Sequence, residues 1–148
     1  MERAVTVGAR ATYPVRDEDT MTSDDANSLA TQQSIKAYAD AIRSNTQELT
    51  ATGTVTPGVN AIELNHASAA IAATIADLSN HPGLLVIKDT SATGTAAHTV
   101  TATAGTFDGT NDKVTLNAGD ECIAVWIDSA GNGTVIENVG SVALATAT

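Results

Sequence analysis

Cysteine occurs once in this sequence, at Cys122, so no disulfide can form within the chain and nothing marks an oxidising compartment. No His or Lys adjoins it in sequence, which reads as a small packed hydrophobe rather than an activated thiol. Aromatic residues make up 3% of the 148 positions. Tyr13, Tyr38, Phe107 and Trp126 leave few rings on which to stack sugars or bases. Basic residues are scarce, 7 against 17 acidic ones, for a formal net charge of -10. Such a surface repels a phosphate backbone and excludes nucleic acid as a partner. No stretch approaches the ~20 apolar residues of a membrane span. The opening MERAVTVGAR has no apolar core of the kind a secretion signal needs. The expectation is a protein with no membrane partner, soluble where it is made or built into an assembly there.

What is present is unevenly placed. Arg3, Arg10, Arg16, Lys36 and Arg43 precede residue 45, and only Lys88 and Lys113 follow it. The length suits one compact core with extensions, burying roughly 68 to 70 % of the surface of the unfolded chain. Residues 1–23 read as an extended arm. Ala4 to Val7 has the composition of a short strand, but Gly8, Pro14 and the run Asp17-Glu18-Asp19 interrupt any longer element. Such a segment buries too little to order itself, which leaves a free terminus and a docking arm both open. Fully extended, its first sixteen residues span at most about 55 Å. Residues 24–46 read as a short helix with linker. Ile35, Tyr38 and Ile42 fall on a/d positions of one heptad register, with Thr31 as the N-cap candidate and Thr22 or Ser23 as earlier ones. A helix of about 12 to 15 residues is marginal alone in water, so it must pack on its own chain or on copies of itself.

From residue 47 to 148 the sequence reads as a β domain. Turn residues recur at short intervals: Thr56-Pro57-Gly58, Asn80-His81-Pro82-Gly83, Asp108-Gly109, Ala118-Gly119-Asp120 and Gly131-Asn132-Gly133. Between them lie β-branched runs, which predict a compact sandwich or barrel-like domain of about eight to nine short strands. The first is read as one strand from Gln47 to Val55. Ala69 to Ala76 fits a strand, yet Ile71, Ile75 and Leu78 also sit at helical spacing after Ser68, so both readings stand. Along Cys122 to Asp128, Ile123, Val125 and Ile127 fall on one face and Cys122, Ala124 and Trp126 on the other. Both faces are apolar, as is Leu84-Leu85-Val86-Ile87, and both strands are expected to be covered twice, which needs either two stacked sheets or a partner subunit, self-association being the favoured reading.

Chemistry-bearing residues are sparse. His66, His81 and His98 are far apart in sequence, with no second His or carboxylate at ligand spacing. Phe107 to Asp112 is rich in oxygen donors but lacks the Gly and distant Glu of a calcium loop, and reads as an Asp-Gly turn. Asp128 to Gly133 has glycines without a Lys or a following helix, so it is no phosphate loop. Ser, His and Asp occur without any nucleophile signature. No catalytic residue, cofactor or metal is assigned, and the chain is expected not to be an enzyme.

Leu29-Ala-Thr-Gln-Gln-Ser-Ile-Lys-Ala-Tyr-Ala-Asp40 resembles a short helical module of tailed-bacteriophage structural proteins. Gly83 to Asp89, His98-Thr-Val-Thr, Gly105 to Thr110 and Ile136 to Val142 resemble a β domain from the same source. The resemblance covers roughly residues 24–145 and leaves the arm unmatched. It implies a trimeric virion protein of the head decoration (cement), head-fibre or tail-fibre type, and a strand at Ala69 to Ala76. No repeated shaft segment is present, which suits a compact knob. The resulting expectation is a homotrimeric capsid decoration protein on the outer surface of a phage head, bound to the major capsid protein. A tail-fibre or baseplate component is the alternative, and a glycan-binding tip a weaker one. The trimer interface is assigned to Leu29, Ile35, Tyr38, Ile42 and Trp126. The capsid anchor is assigned to Arg3, Val5, Val7, Arg10, Tyr13 and Arg16, in a segment whose three arginines outweigh Glu2 on an otherwise acidic molecule.

Overall fold

The computed structural model describes residues 3–7, 11–16, 29–36, 45–91 and 96–147. The chain divides into two compact units, Met1–Ser44 and Asn45–Thr148. In the first, β1 (Arg3–Val7), β2 (Ala11–Arg16) and β3 (Leu29–Ala30) form one sheet in the order β1-β2-β3. β1 and β2 are antiparallel, with Val5 opposite Tyr13, and Leu29 lies opposite Val15 in a parallel pairing. The β-branched residues Val5, Thr6, Val7, Thr12 and Val15 favour these strands. Residues 3–7 and 11–16 of the expected arm thus form two antiparallel strands, and β2 runs through Pro14. Arg10 lies outside the described residues.

A helical turn occupies residues 32–36. Thr31 caps it as expected, its Oγ1 accepting the Ser34 amide at 3.0 Å while its carbonyl accepts the Ile35 amide at 3.1 Å. Tyr38 and Ile42 lie outside the described residues, so their place in the heptad is not tested. Leu29 belongs to β3, ahead of the helix.

Among the described residues the second unit holds ten strands in two five-stranded mixed sheets, consistent with a β-sandwich. The chain first alternates between the sheets: β4 (Thr46–Leu49), β5 (Gly53–Thr54), β6 (Ala61–Leu64), β7 (Ala72–Ile75), β8 (Gly83–Asp89) and β9 (His98–Ala102). β4, β6 and β8 pair parallel in one sheet, and β5, β7 and β9 in the other. A parallel pair needs a long crossover. Here each crossover carries a strand of the opposite sheet. β10 (Lys113–Leu116) and β13 (Ala143–Ala145) then extend one sheet antiparallel, while β11 (Cys122–Ile127) and β12 (Gly133–Val139) extend the other.

One expectation changes, and one open alternative resolves in favour of the strand. The strand read from Gln47 to Val55 is two strands in different sheets, because the chain bends at 50–52 and turns Leu49 and Val55 to the same core from opposite sides. Among the described residues this makes ten strands in the unit, against the expected eight or nine or so. Residues 72–75 form a strand and not a helix. Ile71, Ala73 and Ile75 are buried at period two, and Leu78 enters the core from a separate 3-10 turn, Leu78–Asn80.

The core lies between the sheets. Each fully buried Leu, Ile, Val or Phe side chain contributes roughly 1.5–3 kcal/mol. Ile62, Leu64, Leu85, Ile87, Ile123 and Val125 supply it from one sheet, and Ile75, Val100, Val114 and Leu116 from the other. Phe107 closes one end, held where the Thr106 amide donates to the Gly131 carbonyl and the Gly133 amide to the Thr106 carbonyl. Any Cβ at Gly133 would strike the Phe107 carbonyl.

Candidate interaction surface

The outer face of the β12-β11-β8-β6-β4 sheet carries most of the exposed large apolar side chains of the second unit. Strand register sets it out in rows. Trp126 lies between Leu84 of β8 and Thr134 of β12, Ala124 between Val86 and Glu137, and Cys122 between Lys88 and Val139. A bulge at Ala124/Val125 leaves Ile136 as the extra residue of β12. Trp126 is 55% exposed and Leu84 48%, and Ile136 and Val139 are exposed as well. Among the described residues β8 and β11 are packed on their inner faces, and the cover expected for their outer faces by a partner copy lies beyond what a single chain shows.

Charge gathers at the other end of this face, where Glu63 is paired in register with Lys88 and Glu48 with Glu63. Lys88 Nζ lies 3.4 Å from Asp120 Oδ1, an exposed pair worth less than about 1 kcal/mol. Burial pushes the Cys122 thiol up, and Glu137 adds to this while Lys88 opposes it. The thiol is thus protonated at neutral pH, in keeping with a packing role.

Of the other residues assigned to a trimer interface, Ile35 is exposed on its helical turn. Of the anchor residues, Arg3, Val5 and Val7 lie on β1 and Tyr13 and Arg16 on β2.

Each histidine is tied to the backbone. His66 Nδ1 accepts the Ala69 amide at 2.9 Å, His81 Nδ1 lies 2.5 Å from the Val59 carbonyl, and His98 Nδ1 accepts the Ile71 amide at 3.0 Å. Among the described residues no three His, Cys, Asp or Glu side chains group to hold a metal ion. The loops singled out from sequence are knitted by their own carboxylates. Asp108 accepts the Thr110 and Asn111 amides on Oδ1 and the Asn111 side chain on Oδ2. Asp128 accepts the Ala130 and Asn132 amides and the Asn132 side chain. Hydrogen bonds from the backbone of Asn111 and of Asn132 lead in holding these two carboxyls below the usual carboxylate range.

Sequence reasoning missed two buried carboxylates. Glu121 accepts the Asn117 and Ala118 amides on Oε2, and the Ser141 amide and hydroxyl on Oε1, clamping two turns together. Asp89, at the end of β8, meets Ser91 and also His98, at the start of β9. This brings a Ser, a His and an Asp together, but the wiring is not that of a nucleophile. Ser91 Oγ donates to Asp89 Oδ1 at 2.6 Å, the imidazole faces the other carboxylate oxygen, and all three side chains are buried. The only sequence signal was a polar residue at each end of an apolar strand pair.

Compared with protein-family models, curated proteins and solved structures, the chain matches none of them.

Proposed function

We propose that this chain is a self-associating structural component of a tailed-bacteriophage particle, a head decoration (cement) protein that sits as a homotrimer on the outer surface of the capsid and stabilises it without chemistry. The observation that carries the self-association is the outer face of β8, β11 and β12, where the single Trp of the chain is 55% exposed beside Leu84. Exposed apolar surface gathered on one sheet marks a face that something covers. The acidic body leaves few means of binding nucleic acid. The phage assignment itself rests on the sequence resemblance over residues 24–145.

In this reading copies of the chain cover one another's Trp126 face, with Leu29, Ile35, Tyr38 and Ile42 adding contacts near the shared axis. The β1–β2 hairpin makes the shell contact. β1 is an edge strand of its sheet, so its free backbone groups can extend a sheet of the major capsid protein, and Arg3, Arg10 and Arg16 suit an acidic shell. Three hairpins on one trimer raise avidity by about 10² to 10⁴ over one.

The test is binding of the purified full chain to purified phage heads and, separately, tails. Saturable binding to heads that is lost on deleting residues 1–16, with the oligomer intact, is the expected result. Recovery with tails alone supports the tail-fibre or baseplate reading, and undiminished head binding of the truncated chain moves the contact to the β body.

A further inference from the structure

We propose that Asn132-Gly133 is a self-modification site, where the chain deamidates through a succinimide once the Phe107 end of the sandwich opens and stays unreactive while that end is closed. This goes beyond the particle reading and is independent of it. Asn132-Gly133 is the only Asn-Gly pair among the 148 residues. Glycine has no Cβ to crowd its own amide nitrogen and reaches backbone conformations closed to other residues, so it is the neighbour that best allows attack on an asparagine side chain. In the step itself the Gly133 amide nitrogen gives up its proton to hydroxide and bonds to Asn132 Cγ. The Cγ–Nδ2 bond breaks, and the nitrogen takes a proton from water and leaves as ammonia. Water then opens the imide ring at either carbonyl, to aspartate or to isoaspartate. The net change is water taken up and ammonia released, with no oxidant and no cofactor.

Asn132 is exposed, so water and base reach its side chain. Each reacting group is nevertheless tied. The nucleophile, the Gly133 amide, donates to the Thr106 carbonyl at 2.7 Å. The leaving group, Asn132 Nδ2, donates to Asp128 Oδ2 at 3.1 Å. The Asn132 amide donates to Asp128 Oδ1 at 2.8 Å and its carbonyl accepts the Asp128 amide at 3.0 Å, so the peptide planes on both sides of Asn132 are fixed. Gly133 is buried with the Thr106 and Phe107 carbonyls close against it, which leaves no room for the swing that ring closure needs. The Asp128 carboxylate also opposes the negative charge that builds up during attack. Opening this end removes the ties together, because Thr106 joins the segment before Phe107 to Gly131 and to Gly133. Closure is not regained afterwards. Either product replaces the donor facing Asp128 with a second carboxylate. Isoaspartate also lengthens the main chain between the Asn132 carbonyl and the Gly133 amide, whose two hydrogen bonds must stay in register.

The test is the rate at which aspartyl and isoaspartyl forms of the peptide containing Asn132 appear during incubation at neutral pH, read by digestion and mass spectrometry. The folded full chain should deamidate there at least about tenfold more slowly than the same chain unfolded in guanidinium at the same pH and temperature, because reaction waits for opening. Equal rates, or no product from the unfolded chain, overturn the proposal. Phe107→Leu should raise the rate of the folded chain several-fold, and a folded variant that deamidates at the wild-type rate overturns the gating assigned to this end. If that variant does not fold, the wild-type chain in guanidinium below its unfolding transition decides. Deamidation that rises in step with hydrogen exchange of the Gly133 amide supports the gate, and deamidation that rises only with exchange of the β11 amides belongs to global unfolding and overturns it.

Discussion

The two faces of β8 and β11 differ in burial far more than in composition. Leu85, Ile87, Ile123, Val125 and Ile127 face the opposite sheet and are essentially inaccessible, while Leu84, Val86, Ala124 and Trp126, one residue along the same strands, face outward. Apolar alternation therefore says what can be covered and leaves open by what. The inner face is buried between the two sheets, and the outer face leaves Leu84 and Trp126 exposed.

The sharpest way to break this comparison is to truncate one residue on each face. Ile123→Ala should leave a cavity between the sheets and cost roughly 2–5 kcal/mol of unfolding free energy, read from urea denaturation at low protein concentration. Trp126→Ala at the same concentration should change it by no more than about 0.5 kcal/mol, because the residue is 55% exposed. Equal losses would mean that the outer face is packed within the chain after all.

Next in size is Glu121, at the end of β11 where the two faces meet. Burial acts to raise its carboxyl, but the Ser141 hydroxyl and amide, with the Asn117 and Ala118 amides, more than offset this and hold it below the usual Glu range. Its contribution is therefore complete above the ordinary Glu value of about 4.3 and is lost as pH falls through the lower folded value. Glu121→Gln should cost about 1–3 kcal/mol at neutral pH and flatten the acid limb of a stability profile. An unchanged acid limb would assign that limb to other carboxylates.

Much of this was legible from sequence, for reasons visible in single residues. Thr31 caps its helix because a hydroxyl at that position meets the third amide of the first turn. Asp108 and Asp128 close their loops because short carboxylates reach amides two to four residues on. Strand positions followed from alternation, including 72–75. Pairing did not. Ala61 lies opposite Val86, 25 residues away, and alternation is the same whether strands pair parallel or antiparallel. The strand alternation between sheets, the division of 47–55 into two strands and the meeting of Asp89 with His98 all depend on that pairing. The residues expected at a trimer interface were legible only as apolar positions: Ile35 is exposed, and a surface patch does not encode its partner.

Smaller effects sharpen the outer face itself. Lys88→Ala, removing the exposed pair with Asp120, should shift stability by less than about 1 kcal/mol and less still at high salt. Cys122, its thiol raised by burial, should react with a neutral alkylating reagent more slowly than a free thiol at pH 7, and more slowly again if copies cover the face. A rate equal to that of a free thiol would show the face open in solution.

The central claim is that the Trp126 face joins copies of this chain, and static light scattering of the full chain at about ten micromolar tests it most directly, at a concentration where contacts of moderate affinity persist. The account predicts a mass three times that of the 15.0 kDa chain, falling to one chain in Trp126→Glu. A wild-type mass of a single chain would contradict it.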